Sequence, residues 1–118
     1  MTVALAAITL DSTDALTLAT FWSAALGRAV DEGGTSGFAS IGYGGTSPVW
    51  MFLRVPEGKS AKNRMHVDLT AADRESEVAR LVDLGAERLD DVAEWGHTWT
   101  VLRDPDGNEF CVAQRASS

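Results

Sequence analysis

The chain has 118 residues, 45% of them hydrophobic and 23% charged, and a formal net charge of −7. That is enough for one globular domain with its own core and too little for two ordinary ones. The acidic balance lacks the basic footprint that nucleic acid or an anionic membrane surface demands, and no apolar run approaches the roughly 20 residues that span a bilayer.

The single cysteine, Cys111, excludes an internal disulfide framework and suits a reducing cytoplasm. The opening stretch MTVALAAITLDSTD is apolar but has no basic segment before it, so no signal peptide is expected. It reads instead as a strand followed by cap candidates, Asp11 or Thr13. A helix follows, with Leu18, Trp22, Ala25 and Leu26 at helical spacing and Gly27 to end it. Strand signals come next at 28–32 (RAVDE), 37–43 and 49–55, with GGTSP (44–48) as a turn. The stretch 56–63, PEGKSAKN, reads as a linker.

The order then repeats. RMHVDLT (64–70) reads as a strand, and Thr70 with Asp73 resembles a capping box. A helix carries Val78, Leu81 and Val82 and ends at Gly85, and strand signals follow at 86–91, 97–103 and 108–114. DPDGN (104–108) has its glycine at the fourth position and runs straight into a strand, so it reads as a hairpin turn and not as a calcium loop. The chain therefore reads as β-α-β-β-β twice in one α+β domain, with module one at about 1–55, the linker at 56–63 and module two at about 64–118.

The strand RMHVDLT raises the question of function. Alternation sets Met65, Val67 and Leu69 on one face and Arg64, His66, Asp68 and Thr70 on the other. If that polar face lines a cavity, His66 is a candidate ligand or base.

Four stretches in this order, TDALTLATFWSAALG (13–27), KNRMHVDLTAADRE (62–75), LVDLGAERL (81–89) and VLRDPDGNEFCVAQ (101–114), resemble the glyoxalase / bleomycin-resistance / dioxygenase superfamily. These are also called vicinal oxygen chelate proteins, and the pieces are similar to the glyoxalase-like branch in particular. The resemblance covers nearly the whole chain. It implies two tandem βαβββ modules whose open curved sheets surround a cavity, with the helices on the convex side. Met65, Val67, Leu69, Phe110 and Val112 are then expected under the second helix, and Ile8 and Leu10 under the first. Leu5, Ala7, Thr9, Glu109, Cys111 and Ala113 are expected to face inward.

The resemblance also implies where a divalent metal would sit, on the first and last strands of each module. Those positions here are Ala7, Leu53 (or Met51, two residues earlier), His66 and Cys111. Ala7 and Leu53 offer no donor, and His66 with Cys111 falls short of the three protein ligands of a catalytic zinc. No cofactor is therefore expected. A metal, if held, would use His66 with Cys111 or Glu109, and Asp68 or Glu109 would make up the ligand number only with an unusual bend of the backbone. Without one, Arg64, His66, Asp68, Glu109, Cys111, Trp50 and Trp99 are the candidate ligand-binding residues, with Trp95 beside them and Trp22 in the core. Lys59 and Lys62 read as a solvated linker.

Two functions follow. The first is a small-molecule-binding protein, of the resistance type that sequesters an apolar or aromatic compound. The second is a lyase, isomerase or dioxygenase with His66 as metal ligand or general base. A homodimer is expected from the resemblance.

Overall fold

A computed structural model describes residues 2–45 and 48–116; the tip of the GGTSP turn, residues 46–47, lies outside the described residues. The chain divides into two compact units, 1–58 and 59–118. Both are α+β, each an open sheet with one helix packed on one face.

The first unit runs β1 (Ala7–Ser12), α1 (Ala15–Leu26), β2 (Phe38–Ile41) and β3 (Val49–Arg54), with sheet order β1-β3-β2. The outer strand β1 pairs parallel with β3, and β2 pairs antiparallel with it. Asp14 caps α1 by accepting from the Thr17 N–H, so the cap lies just beyond the expected Asp11 and Thr13. Gly27, at φ 67°, closes the helix in the left-handed conformation that suits glycine. Against the sheet α1 buries Leu18, Phe21 and Trp22. Phe52, Ile41 and Ala39 come up from below, each 1% exposed or less. Burial of each large side chain in this layer contributes about 1.5–3 kcal/mol. Ile8 and Leu10 share the helix-facing side, being register partners of Trp50 and Phe52.

The expected strand at 28–32 does not form. The Asp31 carboxylate instead accepts from the Ser40 hydroxyl at 2.7 Å and from the backbone N–H groups of Gly42 and Tyr43, pinning a loop to the end of β2. A side chain that captures backbone donors in this way competes with strand pairing. Leu5 lies outside β1 and is 69% exposed, so it does not share the inward face with Ala7 and Thr9.

The second unit runs β4 (Val67–Ala71), α2 (Arg74–Leu84), β5 (Glu87–Glu94), β6 (His97–Arg103) and β7 (Glu109–Gln114), in sheet order β4-β7-β6-β5. Again the first strand of the unit pairs parallel with the last. Asp73 is itself the cap of α2, accepting from the Ser76 N–H, where a Thr70–Asp73 box was expected. Phe110, Val112, Leu102 and Thr100 form the buried layer facing α2, and Val67 and Leu69 lie beside them in register. Met65 does not join this layer. It falls in a bend before β4 and is 79% exposed.

A polar clamp holds the start of α2 to β5 and β6. The buried Thr100 hydroxyl donates to Asp91 at 2.7 Å while accepting from Arg74, which also donates to Asp91 at 3.3 Å. Arg88 joins Asp91 to Glu75 with paired bonds of 2.8–3.1 Å. The Thr100 hydroxyl, then Arg88, hold the Asp91 carboxyl below the ordinary carboxylate range. Among the described residues no helix is long and apolar enough to cross a membrane.

Two outcomes test this account. Trp22→Ala empties a fully buried site and should cost about 3–5 kcal/mol in denaturant unfolding. Asp31 has its pKa lowered by the Ser40 hydroxyl and the Tyr43 amide, helped by Gly42 and Arg28 and opposed by burial. A carboxyl lowered on folding stabilises above its unfolded pKa, and that contribution disappears as pH falls through the folded value. Asp31→Asn should therefore destabilise at neutral pH, and the gap to the parent should close below about pH 4, measured by melts across pH.

Candidate functional site

The face of the second sheet turned away from α2 collects the chemistry. Parallel pairing sets Asp68 of β4 beside Cys111 of β7, and antiparallel pairing sets Cys111 beside Val101 of β6 and Val101 beside Asp90 of β5. The next row on the same face reads Thr70, Ala113, Trp99 and Val92.

His66 precedes β4 by one residue, and its Nδ1 lies 3.2 Å from Asp68 Oδ1. The ligand atoms of His66, Asp68 and Cys111 all lie within 4.8 Å of one another. His66 and Asp68 are exposed and Cys111 is buried. Burial first, then the Asp68 charge and its hydrogen bond with the thiol, push the Cys111 pKa up to about 11, with the Lys62 ammonium opposing. The thiol is therefore protonated near neutrality, a weak nucleophile that bonds the Asp68 carboxylate.

Of the two carboxylates that could make up a metal set with His66 and Cys111, Asp68 and Glu109, it is Asp68 that reaches them. Its signal was present as the i, i+2 spacing of His66 and Asp68 on an alternating pattern. What the sequence lacked was the register that lays Asp68 against Cys111.

Glu109 does not join the trio. Its carboxylate accepts from the Lys59 ammonium at 3.1 Å and from the Asn63 backbone N–H at 3.1 Å. Burial works to raise its pKa, but the Asn63 amide and Lys59 outweigh it and hold the carboxyl below its ordinary range. Lys59, expected to be solvated, thus pairs with the buried Glu109, and it also donates to the Ala61 carbonyl. Arg64 lies in the bend before β4, exposed and without an ion pair among the described residues.

Trp50 is separated from the ligand-binding candidates in the first unit. It is 6% exposed on the helix-facing side of β3, its ring 4.9 Å from that of Trp22. Its side chain is core packing. Ala7 and Leu53 lie on the opposite side of that sheet and carry no donor. Trp99 remains on the same face as the trio, stacked on Trp95 with ring centroids 6.3 Å apart and planes 19° apart.

Comparisons with known proteins agree with the architecture. The model of the glyoxalase-like domain family matches residues 7–113. No curated protein sequence matches the chain. Among solved structures, one similar chain is a variant of the genomically encoded fosfomycin resistance protein FosX from Listeria monocytogenes, complexed with Mn(II) and 1S,2S-dihydroxypropylphosphonic acid. It has a TM-score of 0.79 at 14% identity, over 98% of this chain and 93% of that one. A glyoxalase/bleomycin resistance protein/dioxygenase family enzyme from Burkholderia phytofirmans PsJN has a TM-score of 0.75 at 16% identity, over 93% and 97%. TioX from Micromonospora sp. ML1 has a TM-score of 0.62 at 19% identity, over 96% and 99%. At these identities the likeness is one of fold.

The thiol chemistry gives a direct test. Cys111 should react slowly with iodoacetamide at about pH 7.5, with a rate that climbs toward a midpoint near its pKa of about 11. Asp68→Asn removes one of the two groups that raise that pKa, so the profile should move to lower pH.

Proposed function

The chain belongs to the glyoxalase-like domain family, and from that premise we propose that it binds a small molecule on the helix-free face of the second sheet, sequestering it rather than turning it over. One observation carries the reading: the polar trio His66, Asp68 and Cys111 shares a face with the stacked pair Trp99 and Trp95. Ligand sites combine apolar and aromatic walls with a few convergent polar groups. Here the trio supplies hydrogen bonds to the polar end of a ligand, and the indoles cover its flat end. The protonated thiol and a His66 imidazole beside Asp68 suit hydrogen bonding better than nucleophilic attack. The proposal includes a homodimer in the cytoplasm, where Cys111 stays reduced.

A second reading follows from the donor set itself. Imidazole nitrogen, carboxylate oxygen and thiolate sulfur fit a thiophilic divalent ion such as zinc, whereas manganese and magnesium prefer oxygen-rich sites. Three protein ligands would leave a fourth position open. A metal held there would act as a Lewis acid toward a bound oxygen. His66 and Cys111 would be its ligands, with Asp68 as the third in place of Glu109, which Lys59 and Asn63 hold elsewhere.

The two readings separate on elemental analysis of untagged protein purified without added metal. About one equivalent of a thiophilic metal, lost in His66→Ala and Cys111→Ala, establishes the second. Metal-free protein whose tryptophan fluorescence responds to aromatic compounds supports the first. In that case His66→Ala or Asp68→Ala should weaken the best-bound compound about tenfold or more. Both residues are exposed, so unfolding free energy should stay within about 0.5 kcal/mol.

A further inference from the structure

The β5–β6 hairpin carries a feature that folding alone does not account for. Glu94 pairs with His97, so the chain reverses on Trp95 and Gly96 alone. Both have positive φ, 52° and 76°, the pattern of a two-residue type I′ turn. Glycine, asparagine and aspartate take the first of those positions readily, while a bulky L side chain is strained there. Trp95 is the only non-glycine residue with positive φ among the described residues. Burial does not offset the strain, because Trp95 is 82% exposed and its ring packs on Trp99. A residue that breaks a local rule without gaining core packing points to a role outside folding.

We propose that this hairpin tip is a stacking platform that selects a planar organic cation. The proposal rests on the reading of the helix-free face of the second sheet as the ligand surface, and it names the ligand class. The faces of the two indoles present negative quadrupole to a flat guest and attract a cation. Asp90 and Glu94 lie on the same face of β5, and neither forms an ion pair among the described residues. With a chain charge of −7, they favour a cation and repel an anion. Trp99 is also diagonal to Cys111, since Val101 pairs with Cys111. Diagonal neighbours are about 7–8 Å apart, so a bicyclic ring stacked on Trp99 brings its edge toward Cys111.

The test is calorimetric titration with three probes of one size: N-methylquinolinium, its neutral counterpart quinoline, and anionic naphthalene-2-carboxylate. The cation should bind about tenfold more tightly than quinoline, and the carboxylate should not bind. Trp95→Asn should weaken the cation about tenfold or more while the melting temperature holds or rises, because asparagine suits the turn. The double variant Asp90→Asn with Glu94→Gln should reduce cation affinity severalfold and leave quinoline unchanged.

A fall in melting temperature in Trp95→Asn with cation affinity intact would make the stack structural and overturn the proposal. So would a preference for the carboxylate, no binding of the cation, or a dimer in sedimentation that dissociates in Trp95→Asn. Binding that fails in Asp68→Ala but survives Trp95→Asn leaves the polar-trio reading standing and removes this one. Binding that fails in Trp95→Asn but survives both Asp68→Ala and His66→Ala does the reverse.

Discussion

The parallel pairing of β4 with β7 is the constraint on which the candidate site depends. A parallel pair cannot close through a tight turn, so a helix and further strands must intervene. Here α2, β5 and β6 fill that interval, and the last strand returns beside the first. The return puts Asp68 next to Cys111 although they are 43 positions apart in the chain. The thiol's bond to Asp68 follows from that adjacency, and with burial so does its raised pKa. The first unit uses the same device, β1 beside β3, but offers Ala7, Thr9, Met51 and Leu53 on the corresponding face. One architecture thus gathers a His–Asp–Cys trio in one unit and places no His or Cys on the corresponding strands of the other.

Charge partition within the second unit decides which carboxylate is free to act. Acidic side chains on or near the helix-free face have different fates. Glu109 is buried and neutralised by Lys59 and the Asn63 amide. Asp68 is exposed and shared between His66 and Cys111. Asp90 has no cation at all among the described residues. A paired, buried carboxylate acts as structure, tying residues 59–63 to β7, whereas exposed carboxylates with incomplete pairing can meet a ligand. On the opposite face Asp91 is consumed by Thr100, Arg88 and Arg74, which fix α2 against β5 and β6 and so hold the sheet that carries the site.

Much of the fold was legible in local pattern. The helices announced themselves by apolar spacing and by Gly27 and Gly85, because a left-handed closing residue is a backbone requirement that only a few residue types meet. The turn DPDGN was legible for the same reason. Asp104 Oδ1 accepts from the backbone N–H groups of Asp106 and Asn108, and Gly107 has φ 90°. The inward and helix-facing sides of β7 were legible because Phe110 and Val112 alternate with Glu109 and Cys111. The side that Trp50 takes was not. In VWMFLRV both alternate sets are apolar, so nothing local says which set meets the helix. The segment RAVDE looked like a strand because its residues permit one. Asp31 instead found donors about ten residues downstream, and no local propensity weighs that alternative.

By itself the sequence determined the two-module α+β plan and the alternation that groups His66 with Asp68, since these depend on period, caps and turn chemistry within a few residues. Tertiary structure alone decided that Asp68 and not Glu109 completes the trio. It also decided that Lys59 pairs with Glu109, 50 positions away, and that Trp95 stacks in a strained turn while Trp50 is core. The physical reason is common to all of these. Each depends on strand register and on which charged group reaches which partner first, and those are settled between segments remote in the chain, where local preference has no reach.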